Sequence, residues 1–418
     1  MIFNSSKFNT EWDTKPLSDL GEFQRGKSRH RPRNDPKLFD NGTYPLVQTG
    51  EVKAANLYIR SHEACYNKFG LSQSALWPEN TLCITIAANI AETALLGYPM
   101  CFPDSIVGFN ADPKESSELF MHYVFTYIRK AIQNSASGSI QDNINIEYLT
   151  GLRFKIPPKT YQDKIVNILS ALDKKIELNN RINAELEAMA KTLYDYWFVQ
   201  FDFPDANGKP YKTSGGKMVY NPTLKRDIPE GWSDASLVDI ATFTNGIACQ
   251  KYYTSGDEPT YKVIKIREFS SGFDDSSESV RQTVPEKVIV NDGDILFSWS
   301  ATLEVKLWTG GTGVLNQHIF KVTSDRLPKT FYYFEVLKYL DYFKMVAELR
   351  KTTMGHITKD HLIASRISLP PKELIQAMDA KLSPILSKII SNSQQNTQLA
   401  KLRDWLLPML MNGQVTVK

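Results

Sequence analysis

The stretch Ile165–Trp197, IVNILSALDKKIELNNRINAELEAMAKTLYDYW, places Ile165, Leu169, Leu172, Ile176, Asn179, Asn183, Leu186, Ala190, Leu193 and Trp197 at alternating steps of four and three. That spacing makes a helical seam of the coiled-coil kind. The same ten-position skeleton returns 213 residues later as Met378, Leu382, Ile385, Ile389, Asn392, Asn396, Leu399, Arg403, Leu406 and Leu410. The chain therefore carries its own copy. Neither stretch has an internal Gly, and each predicts a helix of roughly 33 residues, or ~50 Å. Pro384 and Pro408 are expected to kink or fray the second one locally.

A seam needs a partner. The asparagines flank the midpoint of each series, so an antiparallel pairing sets Asn179 against Asn396 and Asn183 against Asn392. A buried amide without a partner costs ~1–3 kcal/mol, so four amides satisfied in one alignment fix register and direction together. The expectation is an intramolecular antiparallel coiled coil. The alternative packs each helix on its own globular half and leaves the asparagines at a wet edge; crosslinking of Cys substitutions at positions 179 and 396 separates the two.

At 418 residues, with 42% apolar and 23% charged side chains, the chain suits two to four domains with sizeable cores. No segment approaches 18 uninterrupted apolar residues, and Met1–Thr10 lacks the charged and apolar regions of a signal peptide, which predicts a cytoplasmic protein with no membrane partner. Cys65, Cys83, Cys101 and Cys249 show no CxxC spacing, so a metal site or disulfide framework is not expected and the thiols read as reduced core residues. A net charge of +3 and a pI of 8.4 are compatible with nucleic-acid binding without indicating it.

The repeat extends upstream of the seams. Ile144, Leu149 and Ile156-Pro-Pro-Lys159 match Ile357, Leu362 and Leu369-Pro-Pro-Lys372 at the same offset. Thr81–Thr85 matches Asp294–Ser298, and Leu17–Gly26 matches Leu237–Gly246 with a slightly larger offset. Framework residues recur while the loops between them differ in length. Short alternating runs such as Tyr44–Thr49, Tyr261–Ile266 and Lys287–Val290, punctuated by Gly, Asn and Asp, predict mostly β structure, with short helices at 117–133 and 330–349. The fold class is α+β: two β-rich modules in pseudo-twofold repeat, separated by two long helices. The divisions are 1–160, first module; 161–200, first long helix; 201–235, a linker rich in Pro, Gly, Lys and Asp; 236–373, second module; 374–412, second long helix. Such a duplication suits a ligand with two unlike halves, of which double-stranded DNA is one.

Catalytic signatures are missing. Gly310-Gly-Thr-Gly313 and Ser214-Gly-Gly-Lys217 lack phosphate-loop spacing, there is no [DN]PP[YF] motif for amino-methyl transfer, and the six histidines are scattered. The loops offer amides, hydroxyls and cations, which read base edges or grip phosphates. The densest run is Arg25, Lys27, Arg29, Arg31 and Arg33, where Gly and Pro prevent a helix and a mobile arm able to neutralise several phosphates is expected. Further candidates are Gln48, Thr49, Asn56, Ser139, Gln141 and Asn143 in the first module, and Gln250, Lys251, Lys265, Arg267, Gln317, Lys351 and Thr353 in the second.

The central stretch Leu193–Pro204, followed by Gly208-Lys-Pro-Tyr211, Ser214–Met218 and Ile228-Pro-Glu-Gly-Trp232, resembles the central conserved region of the specificity subunits of type I restriction-modification systems. The Pro-Pro step into each helix, Ser139-Ile-Gln141 and Asn316-Gln-His-Ile319 are similar too, although Met354-Gly-His356 stands where the first module has a Gln. The resemblance covers essentially the whole chain. It implies two target-recognition domains, each reading one half of a bipartite asymmetric DNA site, with the paired helices as a ruler. It further implies a non-catalytic subunit of a DNA adenine N6-methyltransferase and endonuclease complex, with no cofactor of its own. Two methyltransferase subunits carrying S-adenosylmethionine would dock on the helical region, where Tyr194, Tyr196, Phe198 and Trp405 are either docking surface or core, and restriction subunits using ATP and Mg would join them. Inserting or deleting a helical turn between Asn183 and Leu193 is then expected to change the spacer. The rival reading is a non-enzymatic scaffold whose two β-rich modules bind protein or carbohydrate.

Overall fold

The computed structural model describes residues 2–417 except 138–143, 255, 257, 301 and 350–355. Two compact units emerge, and the division falls inside both long helices: Met1–Leu178 with Gln398–Lys418, and Asn179–Thr397.

In the first unit, a five-stranded sheet runs in the order Gly21–Arg25, Ile106–Ala111, Leu82–Thr85, Thr93–Leu96, Tyr58–Ile59, and a four-stranded sheet in the order Ala64–Tyr66, Tyr44–Leu46, Met100–Cys101, Leu76–Trp77. Every residue of the central strand Leu82–Thr85 is buried, because the sheet is covered by the helix Glu118–Ser137, whose Phe120, Val124, Phe125 and Ile128 enter the core with Ile165, Leu169, Leu407 and Leu410 of the long helices. Asp173 joins the same packing: it accepts from the Tyr123 hydroxyl at 2.6 Å and from Arg403 at 2.8 Å. Arg403, the one cation of the seam series, thus sits opposite a buried carboxylate.

The second unit repeats the plan. One four-stranded sheet runs Thr242–Asn245, Ile319–Thr323, Ile295–Ser298, Glu304–Leu307; the other runs Ser279–Arg281, Thr260–Ile264, Gly313–Leu315, Ile289–Val290. The sequence match of Thr81–Thr85 with Asp294–Ser298 lands on equivalent inner strands, and the helix Lys329–Leu349 covers the sheet as Glu118–Ser137 does in the first unit. Residues 201–235 are no tether. They form the hairpin of Met218–Asn221 with Arg226–Pro229, and Phe203 stacks on Tyr211 at 4.6 Å and on Trp232 at 5.5 Å.

Both seams are helical, over Lys159–Phe198 and Lys372–Met411. At 40 residues each is longer than expected, about 60 Å. Each follows a strand, Arg153–Ile156 or Arg366–Leu369, that the Pro-Pro step closes. Of the kink or fraying expected at Pro384 and Pro408, the fraying does not occur: the second helix runs unbroken through both. Pro384 is exposed, while Leu382, Leu386 and Ile389 around it are buried; their packing outweighs the lost backbone bond.

The antiparallel pairing is present in the second unit with the expected partners. Asn179 donates to Asn396 Oδ1 at 2.9 Å and Asn392 to Asn183 Oδ1 at 2.9 Å. Asn183 also donates to Ser393 Oγ and the Ile389 carbonyl, and Asn396 to Asn180. Asn179, Asn183 and Asn392 are buried, so the wet-edge alternative does not hold.

Candidate nucleic-acid interface

Each module builds one corner from three segments, and the same backbone logic builds both. In the first module, the strand Tyr44–Leu46 runs parallel to Met100–Cys101 with Leu46 opposite Cys101; in the second, Thr260–Ile264 runs parallel to Gly313–Leu315 with Ile264 opposite Leu315. Both first strands lead into a short helix, Thr49–Ala54 or Ile266–Ser271, whose third residue is an acid that turns back to the entry. Glu51 accepts from the Gln48 N–H at 2.7 Å, and Glu268 from the Lys265 N–H at 3.3 Å. This arrangement satisfies a backbone donor and fixes Gln48 and Lys265 at the mouth of their helices.

The third segment is brought in by a glycine. A Cβ on Gly26 would lie 2.3 Å from the Pro103 carbonyl oxygen, and one on Gly246 2.2 Å from that of Asn316. Only Gly allows this approach. Gly26 donates to the Ile106 carbonyl at 2.9 Å and Gly246 to that of Ile319 at 3.2 Å. The loops that follow, Lys27–Arg33 and Ile247–Lys251, are thereby laid beside Phe102–Asp104 and Asn316–His318. Counting from the paired residues, Asp104 and His318 occupy the same place.

The first corner is basic. The run 25–33 is not the free arm expected from sequence. Arg25 donates to the Asp104 carbonyl at 2.6 Å, Arg33 to its carboxylate at 2.6 Å, and Arg31 lies 3.5 Å from that carboxylate. The Arg29 N–H donates to the Gln73 carbonyl, and His30 meets Asp35 at 2.8 Å. The His30 ring, with the Lys37 N–H, holds the Asp35 carboxyl below its usual range. Lys27 and Arg29 project exposed side chains with no hydrogen bond or ion pair among the described residues. Gln48 is exposed and Thr49 half-buried. Asn56 lies past the far end of the short helix, in a groove of about 450 Å³ shared with Arg60, His62 and Glu177. Ser139, Gln141 and Asn143 lie outside the described residues, as do Lys351 and Thr353.

The second corner gathers candidates that the sequence scatters over some seventy positions. Gln250, Lys265, Arg267 and Gln317 line one shallow depression of about 320 Å³, together with Asn316 and His318. Lys251 is exposed on the neighbouring turn. Lys265 pairs with Glu278. Arg267 donates to Glu268 and to Ser276, and lies 3.5 Å from Asp274. Burial pushes the Glu268 carboxyl up, but its bonds to Arg267 and to backbone N–H groups outweigh that and hold it below the ordinary carboxylate range. Sequence reasoning missed Asp104, His318 and Trp299. The Trp299 ring stacks on Phe320 at 5.6 Å and its N–H donates to Asn245 at 3.2 Å; the buried His318 Nδ1 has no partner among the described residues. For His318 the sequence signals were its place in the motif Asn316-Gln-His-Ile319 and its position beside the candidate Gln317.

Of the aromatic residues considered for docking, Tyr194 and Phe198 belong to the core, while Trp405 is 56% exposed and Tyr196 36%. No described helix is long and apolar enough to cross a membrane.

The model of the family described as the type I restriction modification DNA specificity domain matches the chain twice, over residues 9–188 and 229–401. The MjaIX specificity subunit of a type I restriction enzyme from Methanocaldococcus jannaschii is 24% identical, over 99% of this chain and 95% of its own. The HindI specificity subunit from Haemophilus influenzae is 26% identical, over 96% of this chain and 100% of its own. Among solved structures, the S subunit of a type I restriction-modification system from M. genitalium superposes with a TM-score of 0.55 at 14% identity, over 98% of this chain and 99% of its own, a likeness of fold.

Proposed function

The chain belongs to the type I restriction modification DNA specificity family, and on that premise we propose that each of its two corners faces DNA and reads one half of a bipartite, asymmetric site. Family membership sets aside the scaffold reading. The observation that carries the proposal is the equivalence of the corners: one backbone device, made twice, presents Arg25, Lys27, Arg29, Arg31, Arg33, Gln48 and Thr49 in one module and Gln250, Lys251, Lys265, Arg267 and Gln317 in the other. Equal scaffolds with unlike side chains are what two unlike half-sites require. Cations meet phosphates and set register, while amides such as Gln317 and Gln48 reach base edges.

In this reading the chain supplies recognition and no catalytic group. Two methyltransferase subunits bring S-adenosylmethionine and act on adenine, and restriction subunits bring ATP and Mg; the assembly works in the cytoplasm. The exposed helix faces around Trp405 in the first unit and around Tyr196 in the second are each a docking surface, and the length of the paired helices sets the number of unread base pairs between the half-sites.

Single-molecule mapping of N6-methyladenine in the host, with the gene intact and then deleted, tests the proposal. Methylation should vanish at one bipartite motif. An unchanged methylome, with the methyltransferase genes expressed, speaks against it.

A further inference from the structure

Asp104 stands among cations on a surface read as gripping phosphates, where a carboxylate repels the ligand. Its own side chain is 28% exposed, and those of Arg31 and Arg33 are about half exposed. Arg25 is held by its carbonyl and Arg31 and Arg33 by its carboxylate. Arg31 is steadied further by the carbonyls of Ser28 and His30. One negative charge thus gathers two positive ones, with a third held on the carbonyl of the same residue, and the patch remains net cationic. The second module does the same with other acids: Lys265 is tied to Glu278, and Arg267 to Glu268 and Asp274.

We propose that Asp104 is a positioning residue for DNA recognition: its carbonyl and carboxylate together hold Arg25, Arg31 and Arg33 in one preformed patch, and the carboxylate withholds the charge of Arg31 and Arg33 from phosphates that the first module does not fit. On unrelated DNA, the arginines stay on Asp104 and only Lys27 and Arg29 meet the backbone. On the target, the close fit of the half-site brings phosphates near enough to take Arg31 and Arg33 from the carboxylate. Asp104 thereby lowers affinity for wrong DNA more than for right DNA. This rests on the reading of the corners as half-site readers.

The test uses the full chain assembled with its methyltransferase subunits. Four duplexes serve as probes: the mapped target, an unrelated sequence, and two targets each scrambled in one half. The half read by the first module is the one whose discrimination Gln317→Ala leaves intact. Asp104→Asn should bind the unrelated duplex roughly threefold more tightly for each further phosphate that a released arginine neutralises, with a log–log salt slope steeper by about 0.9 per phosphate. Discrimination should fall for the first module's half alone. Adding Arg33→Ala should return the slope toward that of the unsubstituted chain, and Asp104→Glu, which keeps the carboxylate, should behave as the unsubstituted chain does. Unchanged affinity for the unrelated duplex, or equal loss of discrimination in both halves, overturns the role of Asp104. An unsubstituted complex that discriminates neither half overturns the reading of the corners, and this inference with it.

Discussion

Replacing Asn183 by Leu removes one amide and strands another, because Asn392 donates to Asn183 Oδ1 and is itself buried. The expected loss is about 1–3 kcal/mol in urea unfolding. Asn392→Leu should cost a similar amount, whereas the double variant should recover much of it, since two leucines suit an apolar seam. Additive losses would show that the amides do not act as a pair. A second residue couples stability to pH. His122 is buried against Thr93, which it meets at 3.0 Å, and desolvation, helped by Arg129 and Arg403, pulls its pKa down to about 3. In the unfolded chain it takes a proton near pH 6.5, but in the folded one it stays neutral, so the unfolded state binds more protons between these values. Stability is therefore complete above about pH 6.5 and falls by about 1.4 kcal/mol per unit as pH drops toward 3. His122→Gln should remove that portion of the slope in urea midpoints measured from pH 7 to pH 4. The asparagines were legible in the sequence because an amide inside an apolar seam has few possible partners. Asp104 was not: its bond to Arg25 spans 79 positions, from a strand end to a turn, and no local pattern encodes that meeting.

Pro384 lies inside a continuous helix, on its exposed side. It deprives the Ala380 carbonyl of its donor at about 3 kcal/mol, part of which returns through the stiffer unfolded chain, worth about 0.4–1 kcal/mol. Pro384→Ala should therefore stabilise the protein by about 2 kcal/mol, raising the midpoint of urea unfolding; a neutral or negative effect would mean that the helix has relaxed around the ring. The expected fraying failed to appear because sequence propensity counts the missing bond and omits the buried leucines on the opposite face. The same blindness explains the linker. Phe201, Phe203, Tyr211 and Trp232 stand amid Pro and Gly, so the composition reads as loop, yet their rings stack into the second unit's core. Strands and helices repeated at a fixed offset were easier, since each landmark vouched for its copy.

The duplication itself was visible in the sequence because framework positions answer to packing, which both modules share, whereas on the proposed reading each corner answers to its own half-site. Its consequence for the whole molecule is a prediction about spacing. The sequence alone suggested inserting a helical turn between Asn183 and Leu193. The structure makes that a poor choice: Ala190, Tyr194 and Trp197 are core residues of the second unit, and an insertion in one helix would slide Asn183 away from Asn392. A matched change avoids both faults. Seven residues after Leu178 and seven after Thr397 enter where the two units divide and leave the pairs Asn179 with Asn396 and Asn183 with Asn392 in place. A heptad also keeps the seam in phase. Each helix lengthens by about 10 Å, and duplex DNA rises about 3.4 Å per base pair. The methylated motif of this variant should keep both half-sites and gain about three unread base pairs between them, read by the same adenine mapping. Half-sites that change while the spacer does not would mean that the helices hold the modules without measuring the DNA.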